Sequence, residues 1–173
     1  RYAPFQYVES EKSVAEEVTI NTPAGEFRSR IGGYIDRLDS KDDTLRIVDY
    51  KTGGNPDMPP SVESLFIPDK KRSNYVFQTF LYAAIMSRQQ NLKVAPSLLY
   101  IHRAASEDYS PVICLKKGRN EAEQVTDFSM YEDEFREGLQ KLLDEIFNPE
   151  VDFTQTEVEE KCAYCDFKAF CRK

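Results

Sequence analysis

The stretch Gly32-Gly33-Tyr34-Ile35-Asp36-Arg37-Leu38-Asp39, followed by Ser40-Lys41-Asp42-Asp43-Thr44 and then Leu45-Arg46-Ile47-Val48-Asp49-Tyr50-Lys51-Thr52-Gly53, decides the reading of this 173-residue chain. Two apolar runs of strand-like composition flank a polar cluster of turn-forming residues, which predicts a β-hairpin. With the turn centred on Asp42-Asp43, Asp39 faces Arg46, Leu38 faces Ile47 and Asp36 faces Asp49. Directly opposed residues share one side of the ladder, with Cβ atoms roughly 4.5–5.5 Å apart. Two carboxylates so placed repel each other unless a cation lies between them, and a one-residue slip would send Asp36 to the other side. Lys51 lies two residues beyond Asp49 and points the same way, whereas Arg46, Val48 and Tyr50 point away. Asp36, Asp49 and Lys51 therefore converge.

That trio suits hydrolysis of a phosphodiester. Hard oxygen ligands hold Mg²⁺ or Mn²⁺, the ion lowers the pKa of a water and clamps phosphate oxygens, and a nearby ammonium offsets developing charge. An Asp-x-Lys taken alone is a weak signal, since charged pairs on exposed strands outnumber metal sites. The second Asp, the Gly-Gly before and the Thr-Gly after strengthen it.

The length suits one domain over residues 1–173, with residues 150–173 as a small appendage, and allows a sizeable core. No stretch reads as a transmembrane span or a secretory signal, so a cytoplasmic protein with no membrane partner is expected. The chain opens at Arg1 without a Met, as a domain excised from a larger protein would. The formal charge of −7 argues against a generally basic grip on a polyanion, so a partner subunit or domain is expected to supply that affinity. Cys114, inside an apolar run, reads as a buried core thiol. Cys162, Cys165 and Cys171 are clustered, which suggests metal ligation before disulfides.

Phe5–Glu11 and Val14–Ile20 read as two strands, Thr22–Gly25 as a turn and Glu26–Leu38 as a long strand leading into the hairpin. Gly53–Pro60 breaks regular structure, either as a loop lining the site or as a plain connector. Lys70-Lys71-Arg72 is a short basic cluster. Tyr75–Gln89 has the spacing of an amphipathic helix, with Gln78 and Tyr82 four apart on one face. On composition alone Tyr82 is a core-edge tyrosine and Gln78 a surface residue. Ser97–Arg103 and Pro111–Leu115 are strand candidates expected to extend the same sheet. His102, the single histidine, is left outside the site. Tyr131–Asn148 is a second amphipathic helix, stopped by Pro149. The fold class is α/β, or α+β by stricter usage: a mixed central sheet bearing the hairpin and flanked by these helices.

Four motifs resemble the nuclease domains of the RecB family, within the PD-(D/E)XK superfamily. They are Gly33-Tyr34-Ile35-Asp36-Arg37-Leu38-Asp39, Ile47-Val48-Asp49-Tyr50-Lys51-Thr52-Gly53, the Gln78-x-x-x-Tyr82 pair, and the Cys162-x2-Cys165-x5-Cys171 tail, which is similar to that of AddB-type members. Together they cover most of residues 27–173. The resemblance implies a restriction-endonuclease-like fold and a metal-dependent DNA exonuclease within a helicase–nuclease of recombinational repair, with DNA and a helicase domain or subunit as partners. It implies that Asp36, Asp49 and the Tyr50 carbonyl hold Mg²⁺ or Mn²⁺, that Lys51 supports the reaction, and that Gln78 and Tyr82 orient the DNA backbone. It further implies that Cys162, Cys165 and Cys171, with a fourth Cys preceding Arg1, ligate a [4Fe–4S] cluster left partial in this chain. Relatives carry one more catalytic residue, usually a His or Glu, on a helix before the first strand; this chain is expected to begin after that helix and so to lack it, with Glu9 or Glu11 as substitute carboxylates that no motif places. The alternatives are a catalytically incomplete DNA-binding or docking module, and a free-standing nuclease of the same fold.

Overall fold

In the computed structural model, which describes residues 3–70, 72–119 and 121–171, the main sheet has the order β1-β2-β3-β4. β1 (Gln6–Thr22) and β2 (Gly25–Lys41) are antiparallel, each 17 residues long. Their turn ends on Gly25 at φ 123°, a conformation that side chains with a Cβ rarely adopt. The division of β1 into Phe5–Glu11 and Val14–Ile20 is corrected: it is one strand, with a register shift between Tyr7 and Glu9 and with Glu11 in the left-handed region at φ 50°. Those irregularities interrupt the alternation, so one strand reads as two.

β3 (Thr44–Lys51) returns from β2 across Asp42-Asp43, with Asp42 at φ 52°. Arg37 pairs with Val48, Leu38 with Ile47 and Asp39 with Arg46, which is the expected register. The expected pairing of Asp36 with Asp49 is corrected: the β2–β3 ladder ends at Arg37–Val48, whereas β1 and β2 stay paired out to Thr22–Gly25. β2 thus parts from β3 at Asp36 while still bound to β1. Side-chain alternation breaks at the same place, because Ile35 and Leu38, three apart, both enter the same core.

From β3 the chain crosses through α1 (Asn74–Gln89) to β4 (Lys93–Tyr100), which runs parallel to β3 from Thr44–Lys93 to Lys51–Tyr100. β4 begins four residues before the expected Ser97 and ends at Tyr100, with Ile101–Arg103 forming a 3₁₀ turn. Pro96 obscured that start, and it is tolerated because β4 lies at the sheet edge. Pro111–Leu115 does not extend the main sheet. Val112 makes an isolated bridge to Ser97, and β5 (Cys114–Lys116) pairs instead with β6 (Ala122–Gln124) in a separate two-stranded sheet. Cys114 is half-buried rather than a core thiol.

α1 is more deeply enclosed than an amphipathic helix, with Thr79 through Met86 all buried. The sheet covers one side of it. An aromatic cluster covers the other, with Phe80, Phe128 and Phe135 ring centroids 5.2–6.0 Å apart. Phe135 belongs to α2 (Glu132–Ile146), whose acidic first turn suits the positive end of the helix dipole. Arg136 of α2 ties three elements together: it pairs with Glu16 of β1 at 2.9 Å and Glu132 at 2.7 Å, and donates to the Ala84 carbonyl of α1. The tail carries two short helices, α3 (Glu159–Cys162) and α4 (Lys168–Cys171). No helix among the described residues is long and apolar enough to cross a membrane.

β1 leaves no room for a side chain at Gly32, since a Cβ there would sit 2.1 Å from the Val14 carbonyl oxygen. Gly53 has open space around its Cβ position. Gly32→Ala is expected to lower stability by about 1–3 kcal/mol in urea denaturation, and Gly53→Ala to change it by less than about 0.5 kcal/mol. Equal stabilities would remove the steric reason for Gly32.

Candidate functional site

The parting of β2 from β3 exposes ladder groups that need partners. The Tyr50 amide finds one in the Asp36 carboxylate, donating to Oδ2 at 2.6 Å. The Asp36 side chain thus does what a facing backbone carbonyl would have done, and anchors itself at the mouth of the split. Asp49, one residue earlier on β3, is 4 % exposed. Its Oδ2 lies 2.5 Å from the Lys51 ammonium, yet in a direction that gives this buried oxygen no well-formed hydrogen bond. Burial pushes the Asp49 carboxyl above its ordinary range, Lys51 opposes that, and the charge of Asp36 adds to it.

Lys51 is held from three directions. Besides Asp49, its ammonium donates to Gln78 Oε1 at 3.2 Å and sits 4.1 Å from the centre of the Tyr75 ring. Gln78 Nε2 in turn lies 3.2 Å from the Tyr82 hydroxyl, the i,i+4 contact that helix geometry supplies. That hydroxyl rests against β2 at Gly33, where a Cβ would come within 2.5 Å of it. A continuous chain of contacts therefore runs from β3 through α1 to the diverging part of β2. Tyr82, 5 % exposed, belongs to the core, and Gln78 is half-buried rather than a surface residue.

The opposite face of the hairpin carries its own polar network. Asp39 is fully buried and accepts a bidentate pair from Arg46, both bonds at 2.8 Å, and a third from Arg37 at 3.0 Å. Arg37 also donates to the Tyr50 hydroxyl at 2.6 Å. Tyr50 thereby offers its backbone to the site while its ring is fixed behind the sheet.

Asp36, Asp49, Lys51, Gln78 and Tyr82 are brought together, and the Tyr50 carbonyl lies between Asp49 and Lys51 on the same strand. The two carboxylates fit a hard divalent cation: both are oxygen donors, and one buried oxygen lacks a directed donor. Among the described residues no third carboxylate joins them, for Glu9 pairs with Lys12 at 2.7 Å and Glu11 is exposed. Among the described residues no group of three or more His, Cys, Asp or Glu is placed to hold a metal. The expected [4Fe–4S] site finds no support on the same ground. Cys162 and Cys171 are half-buried on separate short helices and Cys165 is exposed, so the thiols do not form a common donor set. In the basic cluster, Lys70 pairs with Glu160 at 2.9 Å, Arg72 donates to Asn74 Oδ1 at 3.2 Å, and Lys71 lies outside the described residues.

Tyr75 went unnoticed in the sequence, although it stands three residues before Gln78 and seven before Tyr82, on one helix face. The Arg37, Asp39 and Arg46 network was also missed, although the register that joins Asp36 to Asp49 sends these three to the other side.

A family model described as the PD-(D/E)XK nuclease superfamily matches residues 1–172, and the chain belongs to that superfamily. A comparison with curated proteins finds no match. Members of the superfamily are typically nucleases that use divalent metals such as Mg²⁺.

An ion held by Asp36 and Asp49 binds the folded state and should stabilise it, by about 2.7 kcal/mol when free Mg²⁺ is near a hundred times its Kd. Thermal unfolding is expected to show a Mg²⁺-dependent rise in Tm for the unmodified protein and none for Asp49→Asn. An equal rise in both would place the ion elsewhere.

Proposed function

We propose that this superfamily member hydrolyses DNA phosphodiester bonds at the split between β2 and β3, as an exonuclease linked to a helicase domain or subunit in recombinational repair. The convergence of Asp36, Asp49 and Lys51 at that split, with Gln78 and Tyr82 bracing the lysine, carries the reading. The RecB-type resemblance of the motifs supports the finer assignment, and the acidic balance of the chain favours a partner that feeds the strand in.

In this reading Asp36, Asp49 and the Tyr50 carbonyl hold a divalent cation, which when bound supplies Lewis acidity toward a phosphoryl oxygen and toward water. The chain's own groups do the positioning. Lys51 presents its ammonium to the non-bridging oxygens, where negative charge grows as the phosphorus is attacked. A lysine stem is flexible, so Gln78 and the Tyr75 ring confine the ammonium to one place before substrate arrives. Tyr82 holds Gln78, and its seat against Gly33 ties that arrangement to the strand carrying Asp36. Asp36 is already oriented by the Tyr50 amide, so little reorganisation is needed to accept the ion.

That only two carboxylates meet at the split among the described residues favours one alternative, a nuclease-like module that binds metal and DNA or docks a subunit without cutting. End-labelled DNA incubated with Mg²⁺ separates the two. Lys51→Ala is expected to slow cleavage by at least about 10², and Asp49→Ala to abolish it, with circular dichroism unchanged. Full cleavage in both variants would overturn the assignment, while metal-dependent stabilisation without cleavage in the unmodified chain would establish the docking module.

A further inference from the structure

We infer that the groove between α2 and the segment that follows the 3₁₀ turn Glu63–Leu65 is a docking site for a basic amphipathic helix of a partner protein. The groove encloses about 520 Å³. Two contacts fix how its walls meet. The Glu134 carboxylate accepts from the Glu63 amide at 3.2 Å, and the Phe66 ring lies against α2 at Gly138, where a Cβ would come within 2.5 Å of it. A glycine destabilises a helix interior relative to alanine, and here it makes room for the ring.

The floor is apolar and the rim is acidic. Phe66 and Leu142 are half-buried, Pro68 is exposed, and Ile67 is 51 % exposed, so an occupant covering Ile67 would take about half of that side chain out of water. Glu63, Glu134, Glu137 and Glu145 carry the rim, and Lys141 is the only cation among the described residues that line it. Lys141 pairs with Glu137 at 2.6 Å, which leaves the other three carboxylates without a counter-charge in the groove. Helix physics accounts for Glu134, since negative charge in the first turn of α2 suits the dipole. It does not account for Glu145, which lies in the last turn, where a carboxylate opposes the dipole and no basic residue offsets it.

That combination selects the occupant. Uncompensated carboxylates around an apolar floor repel phosphates, which excludes nucleic acid and anionic lipid. A second copy of this chain carries a formal charge of −7 itself. Lysines or arginines flanking an apolar stripe complement both the rim and the floor. Glu134, Gly138, Lys141 and Glu145 follow one face of α2, so the groove runs along that helix for about 16 Å, the length of roughly three helical turns. A partner helix laid alongside would set its apolar side chains on Phe66, Ile67 and Leu142 and its cations against the rim.

A model peptide tests the groove. A fluorescently labelled helix of about 14 residues, with leucines at i, i+4, i+7 and i+11 and lysines elsewhere, would be titrated with the protein and followed by anisotropy. Saturable binding is expected, weakened about tenfold by Glu145→Lys and about fivefold by Ile67→Ser. Both side chains are exposed, so thermal unfolding should be unchanged. Glu26→Lys makes the same change of charge at an exposed position outside the groove and should weaken binding by less than about twofold. A peptide of the same composition with its leucines scrambled should bind more weakly than the patterned one. Absence of saturable binding, equal affinity for the scrambled peptide, or an equal loss in Glu26→Lys and Glu145→Lys would overturn the proposal, the last because net charge alone would then explain the attraction. Cleavage is not measured, so the outcome bears on this groove and leaves the proposed function to its own test.

Discussion

The hydrogen bond from the Tyr50 amide to the Asp36 carboxylate is the contact on which the site depends. A sheet cannot stop pairing in its interior without leaving donors and acceptors unmatched, and an unmatched buried group costs about 1–3 kcal/mol. A carboxylate accepting from a backbone amide at 2.6 Å removes that penalty with a charge-assisted bond. Divergence of β2 from β3 is therefore stable at this residue. Its consequence is geometric: Asp36 is directed across the split toward β3, rather than standing in a flat ladder as one more charged cross-strand pair. Gly32 and Gly33 complete the arrangement, because the diverging strand is met closely by β1 on one side and by Tyr82 of α1 on the other.

The back of the hairpin fixes the register that the front uses. Asp39 and Arg46 are buried, facing and doubly bonded. Such a pair contributes little net stability, but separating its members and leaving one charge buried costs about 3–5 kcal/mol. A slip of β3 by one residue would separate them, turning Arg46 toward the apolar core and Asp49 and Lys51 away from α1 while Asp39 stays behind the sheet. The pair thus acts against misregister more than for stability. Arg37 extends the control to Tyr50, whose hydroxyl it holds, so the residue that donates to Asp36 is fixed at both its amide and its ring.

The hairpin, its register and the convergence of Asp36, Asp49 and Lys51 were legible because period-two patterning and turn chemistry act within a few residues. Gln78 and Tyr82 were legible only through family resemblance. Composition places a glutamine on a surface, and nothing local to α1 announces that Lys51 lies opposite it. Tertiary packing also decided what propensity could not. β1 looked like two strands because its irregularity at Glu11, opposite the place where β2 parts from β3, interrupts the alternation, and the start of β4 was hidden by a proline that only an edge position allows. The thiol spacing in the tail was equally visible, but spacing along a chain does not by itself bring side chains together: Cys162 and Cys171 end separate short helices, and Cys165 is exposed between them.

Charge at the split sets a condition on how an acidic chain could meet a polyanion. Asp36, Asp49 and Lys51 together carry one net negative charge, and they sit where a phosphate would have to approach. Asp49 resists its own ionisation in this setting, since burial and Asp36 both raise its pKa against the pull of Lys51. A divalent cation between the carboxylates would reverse the sign of the trio and relieve both penalties at once. Lys51 would then no longer be the sole counter-charge of Asp49, and its ammonium could turn to the phosphate while Gln78 and Tyr75 still hold it. Local sign, rather than the net charge of the chain, would then govern approach to the reacting centre. The same logic explains why an acidic surface elsewhere is compatible with such a site: at physiological salt the Debye length is about 8 Å, so distant carboxylates are screened while the three groups at the split are not.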